Sequence, residues 1–127
     1  MTVEEKLRQS LLPVFGFKSI DQIPEDSALI NDLGADSLDF VEIVYLIERD
    51  FGVVLKGNEM VLAGTSTPAD SLFVDGKLTQ EGAAILNKEL QTLKKTFSEG
   101  MTRADLFRSM TVRDLAAIIR LKKGEVT

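Results

Sequence analysis

The sequence predicts an all-α domain, and three observations support this prediction. Apolar residues recur at intervals of three and four positions in several stretches, which is the spacing of one buried helix face. These stretches open with Thr or Asp, whose side chains accept a hydrogen bond from a free N–H at a helix start. The chain has 127 residues, of which 44% are hydrophobic, so one domain with a single core is expected.

The first helix is predicted to follow Thr2, which stands three positions before a glutamate in a capping-box pattern. Pro13 lacks the N–H that a helix interior needs and clashes with the preceding turn. The helix should therefore end near Leu12 or have a distorted last turn, with Gly16 as its terminator. Residues 17–31 are predicted to form a long loop held on the core by its apolar side chains. The apolar face of the first helix should consist of Val3, Leu7, Leu11 and Val14.

The second helix is predicted to run from Ser37 to Phe51. Asp36 is a typical N-cap, and Asp39 places a carboxylate in the first turn, at the positive end of the helix dipole. Gly52 is well placed to end the helix. Ser37 is thus expected to be the first helical residue, with its hydroxyl pointing out of the helix N-terminus. A phosphate attached there would face free backbone N–H groups.

The rest of the chain is predicted to be helical with one optional hairpin. Asp75 and Gly76 form a turn signal that could join two short extended segments. Threonine caps begin three helices in this part of the chain, at Thr79, Thr102 and Thr111. The first of these is expected to continue to Gly100, because an apolar stripe follows helical spacing. That stripe consists of Leu86, Leu90, Leu93 and Phe97.

Composition excludes several classes of chemistry. The chain has no cysteine and no histidine, so it can form neither a disulfide nor a thiolate metal site, and it has no Ser–His pair. No catalytic residue and no metal site are predicted. A net charge of −5 disfavours nucleic acid as a partner and favours basic protein surfaces. No apolar run approaches the length of a membrane span, so we expect a cytoplasmic protein.

A resemblance to a known family is carried by residues 32–44, which read Asp-Leu-Gly-Ala-Asp-Ser-Leu-Asp-Phe-Val-Glu-Ile-Val. This stretch resembles the phosphopantetheine attachment site of acyl carrier proteins. In that family the serine after Gly-Ala-Asp is esterified by 4′-phosphopantetheine, whose thiol carries an acyl group as a thioester. The resemblance implies that Ser37 is the covalent attachment residue. It also implies that Gly34, Asp36 and Leu38 contribute to the cofactor site.

The resemblance also implies a fold, an acyl-carrier-like four-helix bundle. It is close over residues 24–51 and looser over residues 110–119, whereas the stretch between does not resemble the family, whose members are shorter. We therefore expect residues 1–127 to form a single acyl-carrier-like domain. An inserted helical segment at about 56–109 should precede the last helix.

The central tetrapeptide of the motif occurs twice in the chain. Residues 69–72 also read Ala-Asp-Ser-Leu, but no glycine stands before them, and a turn signal follows in place of an amphipathic helix. An attachment motif requires its helix context. Ser71 is therefore interpreted as an ordinary loop or cap serine.

Four acidic residues lie mostly outside the apolar stripe of the second helix. Acidic side chains on a helix surface usually form a solvated face. The resemblance favours another interpretation, a recognition surface for partner enzymes that carry basic docking residues. Arg49 departs from the run of acids that is usual in the family. The candidate docking residues are Asp39, Glu42, Glu48 and Asp50.

The implied function is that of a carrier, not of an enzyme. The carrier would hold acyl groups for fatty-acid biosynthesis or for a specialised lipid pathway, such as the acyl chains of surface lipids and lipopolysaccharide. Implied partners are a phosphopantetheinyl transferase and acyl synthetases, acyltransferases or synthases, with the carrier a monomer. The sequence leaves three alternatives: a peptidyl or polyketide carrier, an enzyme with Ser37 as nucleophile, and a helical interaction module without modification.

Overall fold

Five helices and one short hairpin occupy the part of the chain that the computed structural model describes, which is residues 2–55, 62, 65, 67–91, 93 and 96–123. The helices are α1 (Val3–Phe15), α2 (Ser37–Phe51), α3 (Gln80–Glu89), α4 (Arg103–Arg108) and α5 (Val112–Lys122). Two antiparallel strands, β1 (Phe73–Val74) and β2 (Lys77–Leu78), form the hairpin, and 3₁₀ turns occupy Ile20–Gln22 and Ala69–Ser71. The prediction of a mostly helical chain is confirmed, and the optional hairpin is present. The expected insertion at about 56–109 lies partly outside the described residues.

The core is built where α1 packs against both α2 and α5. Each fully buried Leu or Ile side chain contributes roughly 1.5–3 kcal/mol relative to an exposed one. A bidentate ion pair between Arg120 of α5 and Glu4 of α1 adds a polar contact at the edge of this packing, with 2.8 Å between Arg120 Nη1 and Glu4 Oε2. The hydrogen bond from Arg120 holds the pKa of Glu4 below its usual value. The fully buried side chains from these three helices include Leu7, Leu11, Ile43, Ile47, Leu115, Ile118 and Ile119.

The sequence allows two outcomes for the first helix, an end near Leu12 or a distorted last turn. The structure excludes the end near Leu12. The helix continues through Pro13 to Phe15 and ends at Gly16, whose φ of +71° is left-handed. Pro13 removes one N–H and so frees the carbonyl of Gln9. Both residues are exposed, so water can bond to that carbonyl and the helix can tolerate the proline. The prediction of Gly16 as terminator is confirmed.

The third long helix is shorter than the sequence predicts. It ends at Glu89, and Leu90 is its C-cap. Leu93 and Phe97 are buried as expected, at 3% exposure each, but they lie beyond the helix. The side chain of Asn87 holds the returning chain, because it accepts the Phe97 N–H at 2.8 Å and donates to the Phe97 carbonyl at 2.9 Å. The apolar spacing therefore reflects burial in the tertiary structure and not a continuous helix.

The hairpin is extended by the segment that leads into α4. Its two-residue turn has Asp75 at φ +53° and Gly76 at φ +78°, the left-handed pair that a type I′ turn requires. On the other edge of β2, the Leu78 N–H donates to the Met101 carbonyl at 2.8 Å, and a further bridge forms at Thr102. The hairpin thus fixes the point at which α4 begins.

The first turn of α3 passes very close to the residue before the hairpin. A Cβ placed on Gly82 would lie 2.3 Å from the carbonyl oxygen of Leu72. The same carbonyl accepts the Thr79 N–H at 3.0 Å and the Thr79 hydroxyl at 3.2 Å. Gly82 therefore costs some helix propensity but allows the backbone of α3 to dock against the hairpin.

Gly82→Ala should destabilise the protein even though alanine is the better helix former by about 1 kcal/mol. The methyl group has to displace backbone and not a flexible side chain, so we expect a loss of about 1–3 kcal/mol in the free energy of unfolding. Urea unfolding measures this loss. Ala84→Gly is the matched control, because Ala84 is exposed in the same helix and should lose only the propensity difference. A Gly82→Ala variant more stable than the wild type would show that the close approach is absent.

Candidate functional site

The start of α2 is positioned by a loop that pairs with the segment before α5. The Leu29 N–H donates to the Met110 carbonyl at 3.0 Å, and the Val112 N–H donates to the Ser27 carbonyl at 3.1 Å. The Ala35 N–H then donates to the Leu29 carbonyl at 2.9 Å. These bonds tie the residues just before α2 to the core. The location of the helix N-terminus is therefore set by backbone contacts far apart in sequence.

Gly34 turns the chain from this loop into the helix. Its φ is +73°, and nothing lies within 4 Å of a Cβ built on it. The glycine is thus needed for its backbone conformation and not for space, since an L-residue in this region costs roughly 1–2 kcal/mol. The next residue but one, Asp36, is extended at φ −107°, as an N-cap requires. The structure therefore supports one role for Gly34, which is to let the backbone turn before α2.

A reciprocal capping box closes the N-terminus of α2, as the sequence predicts. Asp36 Oδ1 accepts the Asp39 N–H at 2.9 Å, and Asp39 Oδ2 accepts the Asp36 N–H at 3.0 Å. The first intrahelical bond runs from the Phe40 N–H to the Asp36 carbonyl at 3.1 Å. The N–H groups of Ser37 and Leu38 precede this bond, so they have no helical acceptor. Ser37 is the first helical residue and is exposed, as predicted.

An apolar groove of about 450 Å³ lies beside Ser37. Ser37 and Asp36 are the polar residues among those that line it, and the other lining residues are apolar. Burial of each CH₂ group in such a groove contributes about 0.8 kcal/mol. The groove can therefore hold a hydrocarbon chain that starts near the Ser37 hydroxyl. Its lining residues are Ile30, Ala35, Asp36, Ser37, Phe40, Val41, Val44 and Phe107.

Phe107 is a groove-lining residue that the sequence does not single out. The sequence identifies it only as an apolar member of a short helix, and α4 is confirmed as that helix. In the structure its ring packs against that of Phe40, with 4.5 Å between the ring centroids and 41° between the planes. The Thr102 cap predicts the helix, but no signal in the sequence indicates that it faces α2.

Leu38 does not lie in the groove. Its side chain is 78% exposed, and it stands in line with Val41 at 69% and Tyr45 at 59%. These three residues follow the spacing of one helix face. We call them the exposed stripe of α2. Large apolar side chains grouped on a surface indicate contact with another molecule.

The acidic candidates are not equally available to a partner. Glu42 and Glu48 are exposed on α2. Asp39 is half-buried, and one of its carboxylate oxygens is used in the capping box. Glu42 and Glu48 are therefore more accessible to a partner protein than Asp39.

Asp50 faces α1. Its Oδ2 accepts a hydrogen bond from the Ser10 hydroxyl at 2.6 Å, and its Oδ1 accepts one from Arg49 Nε at 2.9 Å. These two hydrogen bonds hold the pKa of Asp50 below its usual value, and the bond from the Arg49 guanidinium has the larger effect. Asp50 thus links α2 to α1, and part of its charge is neutralised by its neighbour.

Ser71 stands in a different environment from Ser37. It ends the 3₁₀ turn Ala69–Ser71 and is exposed, and its N–H donates to the Pro68 carbonyl at 3.0 Å. The chain continues into the hairpin and not into a helix. The two copies of the tetrapeptide therefore differ in their helix context, because Ser37 begins a long helix and Ser71 does not.

Neither a metal-binding cluster nor a membrane-spanning helix occurs within the described ranges. No group of three or more acidic side chains there is arranged so that it could hold a metal ion. None of the helices in the same ranges has both the length and the apolar character that crossing a bilayer requires.

Comparison with known proteins identifies a family model and curated relatives that resemble this chain. A family model described as the phosphopantetheine attachment site matches residues 5–70. Two proteins named acyl carrier protein, from Nitratidesulfovibrio vulgaris strains DP4 and Hildenborough, are each 34% identical to this chain over 59 residues. That alignment covers 46% of this chain and 76% of each relative. No solved structure matches the chain significantly.

Proposed function

This chain belongs to the acyl carrier protein family, and we propose that Ser37 is the residue that bears its 4′-phosphopantetheine. Members of the family are carriers and not enzymes, and the group is attached covalently. One observation supports Ser37 above all others. It is the exposed first residue of a long helix and at the same time lines an apolar groove.

The residues around Ser37 fit a phosphate ester. The hydroxyl is exposed, so a group attached to it displaces no packed side chain. Two backbone N–H groups without helical acceptors and the positive end of the α2 dipole lie beside it. When bound, phosphopantetheine supplies the thiol that holds an acyl group as a thioester. Within this proposal Gly34 sets the turn and Asp36 fixes the helix start.

The groove gives the carrier a place for its cargo. An acyl chain tethered at Ser37 is held next to apolar walls formed by α2 and α4, so part of the chain can leave water. Shielding of this kind suits fatty acyl groups more than polar aminoacyl groups. It favours an acyl carrier over a peptidyl carrier, which remains the second candidate together with a polyketide carrier.

The surface of α2 is proposed as the docking site for partner enzymes. Glu42 and Glu48 provide exposed negative charge, with smaller contributions from Asp39 and Asp50. The exposed stripe of α2, which includes Leu38, provides apolar contact beside that charge. The partners would be a phosphopantetheinyl transferase and acyl synthetases, acyltransferases or synthases with basic surfaces. Charge of this type mainly accelerates encounter.

The whole chain is proposed to act as one enlarged carrier domain. Leu72, Leu78, Leu86 and Leu90 are at most 1% exposed and belong to the same hydrophobic cluster as α1, α2 and α5. A segment that shares the core with these helices is more consistent with one domain than with a separate module. This supports an inserted region within one carrier, at about 56–109, and favours a specialised lipid pathway over general fatty-acid synthesis.

Ser37→Ala should abolish modification by a phosphopantetheinyl transferase, because it removes the only proposed attachment oxygen. The exposed hydroxyl makes little packing contact, so the unfolding free energy should change by less than about 0.5 kcal/mol. Ser71→Ala is the matched control, and it should accept the group as the wild type does. Intact mass after incubation with the transferase and coenzyme A measures both. Modification of Ser37→Ala but not of Ser71→Ala would assign the attachment to the other serine.

Glu42→Lys should slow modification by about three- to tenfold at low salt, because it places a positive charge on the docking surface. The difference from the wild type should shrink as salt is added, since screening weakens charge attraction. Glu99→Lys changes the net charge equally, at an exposed position outside α2. If the two variants and the wild type are modified at equal rates at every salt concentration, the acidic residues of α2 are solvated surface and not a docking site.

A further inference from the structure

One wall of the groove comes from a part of the chain remote from the attachment motif. All lining residues but one lie between residues 30 and 44, and the exception is Phe107. Its ring is half-buried and packs against the ring of Phe40, which is 4% exposed. The Phe40–Phe107 pair therefore forms the boundary between the groove and α4.

The start of α4 is fixed to the hairpin. Thr102 bridges to Lys77 of β2, and its hydroxyl accepts the Asp105 N–H at 3.1 Å. In the same turn, the guanidinium carbon of Arg103 lies 5.1 Å from the centroid of the Phe73 ring. A cation in this position is attracted by the electron-rich face of the ring. The N-terminal turn of α4 is thus attached to both strands.

The end of α4 is fixed to the loop that positions α2. The side chains of Leu106 and Met110 are buried, at 2% and 0% exposure. The carbonyl of Met110 accepts the Leu29 N–H. Anchoring on both sides of Phe107 leaves its helix little freedom to withdraw from α2.

This arrangement limits the space available to a hydrocarbon chain. A chain that extends past the aromatic pair has to separate the two rings, which removes their aromatic contact as well as buried apolar area. An additional CH₂ group stabilises the protein only where it is buried. The stabilisation from a growing chain should therefore level off once the chain reaches the rings.

We propose that Phe107 sets the length of acyl chain that the groove accepts. The proposal rests on the proposed function, since it takes Ser37 to be the tethering residue. The hairpin and the residues around 100–102 act through α4, because they hold the ring in place. Phe107 is in this sense a specificity-determining residue contributed by the enlarged part of the chain.

The test uses the full chain with the prosthetic arm attached and loaded with saturated acyl groups of increasing length. Mass spectrometry first confirms one arm and one acyl group on each variant. Thermal unfolding then gives the rise in Tm relative to the unacylated form of the same variant. In the wild type, Tm should rise with chain length and then reach a plateau.

Phe107→Ala should move that plateau to chains longer by about four methylene groups, because the space of the deleted ring becomes available. Phe107→Leu should move the plateau in the same direction by a smaller amount. This variant replaces Phe107→Ala in the test if the alanine variant does not fold. Phe17→Ala is the matched control. Phe17 is a half-buried member of another aromatic pair, with its centroid 6.1 Å from that of Phe15, and it does not line the groove. This control should lose stability without moving the plateau.

The outcomes separate this inference from the proposed function. Failure of the wild type to take up the arm at Ser37 would overturn the proposed function and the inference with it. Normal loading with the same plateau in Phe107→Ala, Phe107→Leu and Phe17→Ala would overturn the inference and leave the carrier function intact. Normal loading with a Tm that does not depend on chain length would also overturn it.

Discussion

The site depends on the backbone pairing between residues 27–29 and residues 110–112. The loop before α2 and the segment that joins α4 to α5 exchange hydrogen bonds there. Arg113 reinforces the junction, with Nε 2.8 Å from Asp26 Oδ1 and Nη2 3.0 Å from Glu25 Oε2. Each such bond contributes only about 1 kcal/mol, but together they fix two elements at once. Both Ser37 on α2 and Phe107 on α4 take their positions from this junction.

The helix that begins at Ser37 could be predicted from the sequence because its determinants are local. The bounds of α2, its cap at Asp36 and its terminator at Gly52 agree with expectation. Each depends on the chemistry of a few neighbouring residues: a carboxylate that reaches a nearby N–H, or a glycine that adopts positive φ at no steric cost. The same is true of α5 after its Thr111 cap. Local rules are therefore sufficient to place Ser37 at a helix start.

Features that depend on distant contacts could not be predicted in this way. Burial of Leu93 and Phe97 is foreseen, but their helical spacing does not reveal that the chain turns after Glu89 and returns to Asn87. Periodicity indicates which residues are buried, and only tertiary structure decides the backbone path between them. The groove wall at Phe107 and the contact of Asp50 with Ser10 are missed for the same reason, since both join elements far apart in sequence.

Attachment at Ser37 is tested most directly by peptide mapping of the wild-type protein co-expressed with a phosphopantetheinyl transferase. Cleavage after Lys and Arg separates the two candidate serines, because Ser37 falls in the peptide 19–49 and Ser71 in the peptide 57–77. We expect the mass of one phosphopantetheine on the first peptide, with fragment ions that place it at Ser37. An unmodified first peptide from protein exposed to an active transferase, or the added mass on the second peptide, would contradict attachment at Ser37.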